Sequence, residues 1–481
     1  MASIHFDKFN AGLDHRKSAD TAGADSLREL TNAYITTGQE IAKRSCALSI
    51  AELEAGTKGL WSALGVLNTF YAAGSISHGD PAFEARFVPH PTNAAREVSK
   101  IHYCEAFRGY LYVAVEYDDG SVWHHYLDGG SADRPEWEGT TAYAQGKFVI
   151  PTVPNGFCYE ATSVSGTGTT DATEPTWPTT VGDTVIDNAG ANQIIWTCRA
   201  FVVADSNCPH SKSVTKVGGK LYAVDGDVVR FCAVADARDW TTASDAGFLA
   251  TGDHQDGTSE ALAVAQFKHN LAVFFADGVQ VWEADPDPDL TILIDKAFNT
   301  GCRYPRSIGN VSQDTIFLSD NGFRSIALAV QSDTLEDTDI GSPIDDLVRP
   351  NLAGEIAPFS VWFAPSGQFW CVMGSVVWVY TYSRTSKVKA WSRFAMPFTV
   401  DDATVLNGKL YLREGNNVYR VDENTHQDGP TAPQVVIEFP LLDFKSPGAL
   451  KIIQGVDFVG RGTVSLSYRY LAEAGALHET E

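Results

Sequence analysis

Short runs of alternating apolar and polar residues, interrupted by tight turns, recur along the chain. The stretch GGKLYAVDGDVVRF at 218–231 resumes its apolar pattern after an Asp-Gly turn, and NGKLYLREGNNVYRV at 407–421 does so after Asn-Asn. Two such runs around a short polar turn are typical of a β-hairpin. Further copies of the pattern begin at Phe107, Lys268, Ser312 and Pro365. A hairpin repeated along the chain predicts a repeat architecture.

The spacing of these hairpins predicts a β-propeller. The equivalent apolar positions are Leu111, Leu221, Leu271, Ile316, Phe369 and Leu410. Subtraction gives spacings of 110, 50, 45, 53 and 41 residues, and one four-stranded blade takes roughly 40–50 residues. The first spacing indicates either slightly more than two blades or one blade carrying an insertion of about sixty residues.

A ring of blades also agrees with the side chains of the hairpins. The predicted strands are apolar on both faces, as around Phe274 and Trp282, so both faces of each sheet require covering. No segment keeps a 3.6-residue period, which excludes helical repeats. The segment TKGLWSALGVLNTFYAAGS at 57–75 resembles a degenerate further blade. We predict an all-β protein, a β-propeller of about six or seven blades.

The long spacing contains a segment of different composition. Residues 131–207 are rich in Thr, Gly, Pro, Ser and Asn, and we interpret them as an inserted β module. Candidate strands at Cys158–Ser163 and Ile194–Cys198 flank a loop in which Pro175 and Pro178 disfavour a helix. Trp177 is either an exposed platform for a ligand or, as we expect, a lid over a small core. If the two strands pair, Cys158 and Cys198 could face each other, and we expect thiols.

Composition and charge narrow the classes of function. Hydrophobic residues make up 44% of the 481 residues, and 60 acidic against 36 basic residues give a net charge of −24. This composition indicates a globular protein, and the charge disfavours tight nucleic-acid binding. No apolar run suggests a membrane span or signal peptide. The eight cysteines include no C-x-x-C pair, so we expect buried thiols and no zinc site.

We find no catalytic, cofactor-binding or metal-binding motif and predict that the chain is not an enzyme. His124 and His125 are adjacent on a predicted strand and therefore point to opposite faces, which favours blade-edge residues over metal ligands. The acidic run DPDPDL at 285–290 resembles a calcium loop only in charge, because it lacks the spaced glycine and the terminal glutamate. The run LEDTDIGSPIDDL at 335–347 is similarly acidic. We interpret them as solvated loops, the first of them between blades.

Propellers also occur among glycan-processing enzymes and lectins, and this is the alternative function. A repeated S-x-D-x-G-x-x-W turn marks sialidase blades. LSDNGFRSI at 318–326 places Ser319, Asp320 and Gly322 at a different spacing and has no tryptophan. Chance pairs of carboxylates are certain among 60 acidic residues, so they do not identify a glycosidase.

Several strings together resemble the tail nozzle, or tail hub, proteins of short-tailed bacteriophages. They are LRELTNAYITTGQEIAKRS (27–45), VVRFCAVADARDWTTASDAGFLATGD (228–253), VQVWEAD (279–285) and GCRYPRSIGNVSQDTIFLSDNGFRSI (301–326). The family's early block is matched by Asn32, Ala33, Tyr34, Gly38, Glu40, Ile41, Lys43 and Arg44, and a later string by Asp239, Trp240, Ala246, Gly247 and Phe248. The EPTWPTT loop at 174–180 is similar to a module inserted in many phage structural proteins. The likeness covers most of residues 27–330.

The resemblance implies a virion structural protein that is made in the host cytoplasm and assembles as a homohexameric ring. Genome DNA would pass through the lumen without sequence-specific binding. An adaptor ring would join above, and a fibre, spike or plug would attach outside or below. The implied organisation is an N-terminal arm with platform strands (1–50), first blades (51–130), the inserted module (131–207), remaining blades (208–425) and a C-terminal β platform element (426–481), expected to be truncated soon after Tyr470.

The resemblance also leads to an electrostatic expectation. Lumen-facing loops of a DNA conduit should be acidic or neutral, because each bound phosphate would slow the genome. Basic residues such as Lys43, Arg44, Arg303 and Arg306 should then lie in subunit or blade contacts, paired with carboxylates. The alternative is an ordinary acidic surface without sidedness.

Overall fold

The computed structural model shows a chain built mainly from short strands in many small sheets. It describes residues 9–71, 83–127, 135–331, 339–352, 357–428, 432–441, 455–456, 459–471 and 477–480, apart from positions 20, 24, 94, 154, 156, 201, 204, 244, 256 and 299. The prediction of an all-β protein is confirmed.

Five short strands come first in the described chain: β1 (Gly12–Leu13), β2 (Ser26–Leu27), β3 (Glu29–Thr31), β4 (Ala33–Ile35) and β5 (Ile41–Lys43). After β6 (Cys46–Glu52), sheet 1 contains β7 (Lys58–Ala63), β8 (Val66–Tyr71) and β9 (Phe83–Phe87), and sheet 2 contains β10 (Val98–Phe107), β11 (Tyr110–Tyr117) and β12 (Val122–Leu127). The inserted sheet contains β13 (Phe148–Val149), β14 (Phe157–Val164), β15 (Thr184–Asp187) and β16 (Ile194–Ala200).

Sheet 3 contains β17 (Val214–Val217), β18 (Lys220–Asp225), β19 (Val228–Phe231) and β20 (Gly247–Leu249), and sheet 4 contains β21 (Ala263–Phe267), β22 (Asn270–Phe274), β23 (Gly278–Glu283) and β24 (Ile292–Phe298). Sheet 5 contains β25 (Gly309–Val311), β26 (Asp314–Ser319) and β27 (Gly322–Ser325), and is followed by helices α1 (Ile326–Gln331) and α2 (Asp345–Val348).

Sheet 6 contains β28 (Phe359–Phe363), β29 (Gln368–Met373), β30 (Val376–Ser383) and β31 (Val388–Ala395), and sheet 7 contains β32 (Asp402–Leu406), β33 (Lys409–Glu414) and β34 (Asn417–Asp422). The last strands are β35 (Val436–Glu438), β36 (Tyr468–Leu471) and β37 (Leu477–Thr480). Short 3-10 helices lie at Thr251–His254, Pro288–Leu290, Pro305–Ser307, Arg349–Leu352 and Ala364–Ser366.

All six predicted hairpins are present, and the segment at 57–75 forms the β7–β8 hairpin of sheet 1. Each equivalent apolar position is buried: Leu111, Leu221, Leu271, Ile316, Phe369 and Leu410. The turn before β33 has Asn407 at φ 50° and Gly408 at φ 72°. Positive φ at both central residues matches the twist of a two-residue hairpin, and Asn-Gly is the sequence that best tolerates it.

Sheets 1 to 7 pack against each other in cyclic order, each against the next and the seventh against the first. A separate apolar cluster fills each junction, with central members Val113 (sheets 1 and 2), Leu221 (2 and 3), Leu271 (3 and 4), Phe274 (4 and 5), Phe369 (5 and 6), Val377 (6 and 7) and Leu60 (7 and 1). First strands contact each other at five of the seven junctions: β32 with β7, β7 with β10, β17 with β21, β25 with β28, and β28 with β32. The first strands therefore surround the centre of this ring.

The N-terminal part of the chain closes the ring. Strand β6 pairs antiparallel with β34 at the outer edge of sheet 7, with Cys46 opposite Asp422 and Ala51 opposite Val418. Sheet 7 thus combines β6, which precedes sheet 1 in the chain, with β32, β33 and β34, which follow sheet 6. Backbone hydrogen bonds, in addition to apolar contacts, hold the last sheet beside the first.

The inserted sheet explains the spacing of 110 residues between Leu111 and Leu221. Its strands β14 and β16 pair antiparallel, as predicted, with Cys158 opposite Arg199 and Tyr159 opposite Cys198. The offset of one residue sends the two thiols to opposite faces of the sheet. The expectation that they face each other is therefore wrong, and neither forms a disulfide.

Strands from both terminal parts of the chain extend sheet 6 into one eight-stranded sheet. Strands β1 and β3 pair parallel with β31, and β3 also pairs antiparallel with β35, with Leu30 opposite Ile437. Gly12 permits this approach, because a Cβ there would lie 2.7 Å from the Trp391 carbonyl oxygen. We call β1, β2, β3 and β35 the terminal strands. Of the expected C-terminal β platform element (426–481), residues 429–431, 442–454, 457–458, 472–476 and 481 lie outside the described residues.

Replacing Leu60 with alanine should lower the free energy of unfolding by about 2–5 kcal/mol, because it leaves a cavity at the junction of sheets 7 and 1. Leu60 is 1% exposed there. The matched control is Leu48→Ala on β6, where the side chain is 43% exposed, with an expected change within about 0.5 kcal/mol. Urea unfolding of both variants is the measurement, and equal losses would contradict the closed ring.

The inserted module should be removable if the deletion ends at residue 200. Residues beyond it belong to the ring: Val202 bridges to His125, and the Asp205 carboxylate accepts a hydrogen bond of 2.9 Å from the Trp240 backbone N–H. The expected boundary at 207 therefore moves to 200. Deleting 136–200 with a short linker should leave a folded, less stable ring, since Phe148 and Ile150 pack on its core.

The comparison variant lacks residues 131–207, as the composition alone suggested, and it should be insoluble or misfolded. Circular dichroism and limited proteolysis would compare the two proteins. A folded 131–207 deletion together with an unfolded 136–200 deletion would show that this boundary is wrong.

Candidate functional site at the ring centre

Arg306 joins three sheets other than its own. It lies in the 3-10 turn Pro305–Ser307, immediately before sheet 5. Its guanidinium donates a hydrogen bond of 2.8 Å to Asp402 on sheet 7. The same group lies 5.0 Å from the ring centroid of Phe359 on sheet 6 and 5.5 Å from that of Trp61 on sheet 1. Since these partners belong to the first strands, Arg306 lies across the ring centre.

Asp402 is shared by two arginines. Arg413 donates to its Oδ2 atom through Nε at 2.9 Å and Nη2 at 2.5 Å, while Arg306 bonds to Oδ1. The side chains of Asp402, Arg413 and Arg306 are 5%, 9% and 15% exposed. A single buried carboxylate thus balances two guanidinium groups, and the half-exposed Asp401 lies 3.7 Å from Arg413.

Lys100, on the first strand of sheet 2, adds a third positive charge. Burial lowers the pKa of Lys100, and the charge of Arg306 lowers it further. The negative charges of Asp402 and Glu116 raise this pKa but do not cancel the decrease. Among the described residues no carboxylate lies within ion-pair distance of its ammonium group. Within the same part of the chain, the buried Nε1 of Trp61 has no hydrogen-bond acceptor.

The nearest acid on sheet 2 is already engaged. Glu116 accepts hydrogen bonds from His102 at 2.6 Å and from Lys212 at 2.5 Å. Burial raises the pKa of Glu116, but the two hydrogen bonds lower it, and the pKa ends below its usual value. Burial lowers the pKa of His102 to about 4 in spite of its bond to Glu116, so the neutral ring is the form at neutral pH. We call Trp61, Lys100, Arg306, Asp402 and Arg413 the central cluster.

Sequence reasoning identified one member of the central cluster. Arg306 was expected in a blade contact paired with a carboxylate, and its pair with Asp402 confirms this. Arg44 also pairs with a carboxylate, Asp428, and Arg303 pairs with Asp320 at 2.8 Å on the exposed surface. Lys43 has no carboxylate within ion-pair distance in the described part of the chain, so its place in a contact between subunits stays a prediction.

The two adjacent histidines point to opposite faces of β12, as predicted. His124 contacts the Tyr112 hydroxyl at 2.7 Å and the Ser211 carbonyl at 2.8 Å, whereas His125 contacts the Tyr117 hydroxyl at 2.8 Å. Both rings are buried instead of lying at an exposed blade edge. Burial lowers the pKa of His124 to about 4. Their role in this structure is to satisfy buried hydroxyl and carbonyl groups.

His124 also lies near a thiol beside a small cleft. The Cys208 sulfur is 3.5 Å from its Nδ1 atom. Burial raises the pKa of Cys208 far above its usual range, so the pair holds an unreactive thiol. The cleft is a cavity of about 320 Å3 lined by polar groups, including His210, Asp225 and Arg230. Arg230 is already paired with Asp225 at 2.5 Å.

The structures of the two acidic segments, 285–290 and 335–347, differ from what we predicted. DPDPDL is exposed, as expected, but connects β23 to β24 within sheet 4 and so does not lie between blades. In the second run, Asp339 and Asp345 both pair with Arg324 and are largely buried; burial raises the pKa of Asp339 to about 6. This part is therefore not a solvated loop, and residues 335–338 lie outside the described chain.

Trp177 covers the small core of the inserted sheet. Its ring lies 4.2 Å from that of Tyr159 and 6.1 Å from that of Trp196, measured between centroids. Its indole N–H donates a 2.8 Å hydrogen bond to Glu174. The preferred interpretation as a lid is confirmed, and the EPTWPTT loop is held in place by its own glutamate and tryptophan.

No group of three or more His, Cys, Asp or Glu side chains is arranged to hold a metal ion in the described part of the chain. No helix there has the length and apolar character needed to cross a membrane.

Comparisons with known proteins give weak structural likeness. No protein-family model matches the sequence, and no curated protein matches it. Similar solved structures include the AfRom2 CNH domain (11% identity, TM-score 0.29, 63% of this chain and 88% of that one). Others are the extracellular domain of a one-component system from B. thetaiotaomicron (9%, 0.33, 70% and 40%) and the Pan2 WD40 domain of Neurospora crassa (9%, 0.31, 69% and 90%). These TM-scores carry no conclusion about function.

Replacing Asp402 with asparagine should lower the free energy of unfolding by about 3–5 kcal/mol, because two buried guanidinium groups lose their shared counter-charge. The control is Asp320→Asn, which removes the exposed partner of Arg303 and should change stability by less than about 1 kcal/mol. Urea unfolding near neutral pH measures both. A loss for Asp402→Asn as small as that of the control would contradict the placement of Arg306 across the ring centre.

Proposed function

We propose that the chain is a virion structural protein, the tail nozzle or hub of a short-tailed bacteriophage. In this proposal sheets 1 to 7 are the blades of a seven-bladed β-propeller, and the terminal strands belong to a platform beside it. Copies of the chain assemble into a hexameric ring at the distal end of the tail. The ring conducts DNA and provides attachment sites for an adaptor ring above and for a fibre, spike or plug.

The observation that carries the proposal is the pairing of the two chain ends outside the ring. Strand β3 bonds to β35, and both attach through β31 to sheet 6. In this proposal the terminal strands, which extend sheet 6 into one eight-stranded sheet, are part of the platform that the sequence resemblance implies.

The residues that carry the resemblance have structural roles. Arg44, 1% exposed, donates hydrogen bonds to Asn32 at 3.0 Å and to the Ala395 carbonyl at 3.1 Å and pairs with Asp428. Asn32 in turn donates to the Gln434 carbonyl at 2.8 Å. This buried network fixes the N-terminal arm to sheet 6 and to the segment after the ring. Removing it would release the proposed platform.

The central cluster bears on the path of the DNA. Within one chain, Arg306 lies at the centre of the ring formed by sheets 1 to 7 and contacts Asp402, Phe359 and Trp61. A duplex cannot pass through a centre occupied by side chains. The proposed lumen is therefore the space enclosed by six subunits, and the propeller of each subunit forms part of its wall.

Charge supports a wall that does not retain DNA. The chain carries a net charge of −24, and Arg44, Arg306, Arg324 and Arg413 are paired with carboxylates. Cations that are neutralised within the subunit release no counterions from a passing phosphate backbone. The wall would then repel the genome weakly and evenly.

Electron microscopy of the purified chain, alone and with the particles that contain it, tests this function. We expect sixfold rings with a central hole wide enough for duplex DNA, and few unpaired Arg or Lys side chains facing that hole. A monomer that hydrolyses or binds glycans would favour the alternative class. A sixfold ring whose lumen is rich in unpaired cations would refute the conduit while leaving a structural role.

A further inference from the structure

We propose that the ring centre binds a small oxyanion, a phosphate or a carboxylate, between Lys100, Arg306 and the indole N–H of Trp61. These three groups come from the first strands of sheets 2 and 1 and from the turn before sheet 5. All three are hydrogen-bond donors. The site is contained in a single chain and does not depend on the proposed role in a phage tail.

The first argument is the balance of charge. Lys100, Arg306 and Arg413 are positive, whereas Asp402 bonds to both arginines and Asp401 lies 3.7 Å from Arg413. These two carboxylates leave Lys100 without a counter-charge within ion-pair distance among the described residues. Glu116 is held by His102 and Lys212. A local excess of positive charge at the centre is unexpected in a chain with a net charge of −24. An added anion would correct it.

The second argument is unused hydrogen-bonding capacity. The buried Nε1–H of Trp61 finds no acceptor among the described residues, and such a group costs free energy unless it is satisfied. Arg306 lies over the ring of the same tryptophan. Strand β7, which carries Trp61, packs directly on β10, which carries Lys100. An oxygen atom of one anion could therefore accept from the indole while others accept from the two cations.

The third argument is the repulsion between the cations. Burial opposes protonation of Lys100 most strongly and the charge of Arg306 opposes it further, so the pKa of Lys100 is lowered although Asp402 and Glu116 act in the opposite direction. Without a bound anion, the charged Lys100 therefore lowers the free energy of unfolding. With a bound anion, Lys100 raises the free energy of unfolding. A lysine with a purely structural role would stabilise the fold under both conditions. This reversal of sign distinguishes the two roles.

The test measures the melting temperature and binding heat of the full chain with inorganic phosphate and with acetate. Sodium chloride at equal ionic strength is the reference. We expect phosphate, acetate or both to raise the melting temperature by about 2 °C beyond chloride. The more effective of the two identifies the ligand as a phosphate or a carboxylate.

Lys100→Gln is the decisive variant. It should melt at or above the wild-type temperature in chloride and bind the anion about tenfold more weakly. Lys216→Gln is the matched control, because this lysine is also on a first strand but pairs with Glu105 at 2.6 Å; it should bind the anion as the wild type does. Trp61→Phe keeps the ring beneath Arg306 and should weaken binding about threefold to tenfold by removing the N–H donor.

Two results would overturn the proposal. One is an equal response of the wild type to phosphate, acetate and chloride. The other is unchanged anion affinity in both Lys100→Gln and Trp61→Phe, which would place any bound anion elsewhere. If Lys100→Gln melts well below the wild type in chloride, Lys100 stabilises the empty centre and the argument from repulsion is wrong.

Discussion

The architecture depends on the burial of both faces of every sheet in the ring. Strand β22 shows the constraint most clearly: Leu271 and Val273 enter the cluster shared with sheet 3, while Ala272 and Phe274 enter the cluster shared with sheet 5. Successive side chains of a strand point to opposite faces, so one strand supplies both junctions. A sheet with two apolar faces requires two neighbours, and seven such sheets satisfy the requirement by closing on themselves.

This constraint explains how much could be predicted from the sequence. The hairpins, the buried positions from Leu111 to Leu410 and the inserted sheet follow from local alternation and turn residues, which the sequence displays directly. The pairing of Cys46 with Asp422 and of Leu30 with Ile437 was not predicted. These partners are separated by several hundred residues, and a short strand carries no local mark of its distant partner.

The central cluster was missed for a related reason. Its members come from sheets 1, 2 and 7 and from the turn before sheet 5, so no motif or spacing links them. Arg306 was singled out as a cation that would need a carboxylate, but its partner could not be identified. The only local signal was Asp402 in the DDATVL segment, which lies eleven residues before Arg413. Chemistry assembled at a ring centre is visible only once the ring has closed.

The closure of sheet 7 also determines the order of events during synthesis. Strand β6 ends at Glu52, whereas its partner β34 ends at Asp422. At about 5–20 residues per second, synthesis of the chain between these two residues takes roughly 20–75 s. Throughout that interval β6 has no partner in its own sheet, and sheet 1 has no neighbour on one side. Contacts this distant in sequence form slowly, and exposed strand edges promote association between chains. Until β34 has been made, the nascent protein therefore exposes the edge of β6 and one face of sheet 1, and faster synthesis would shorten this period.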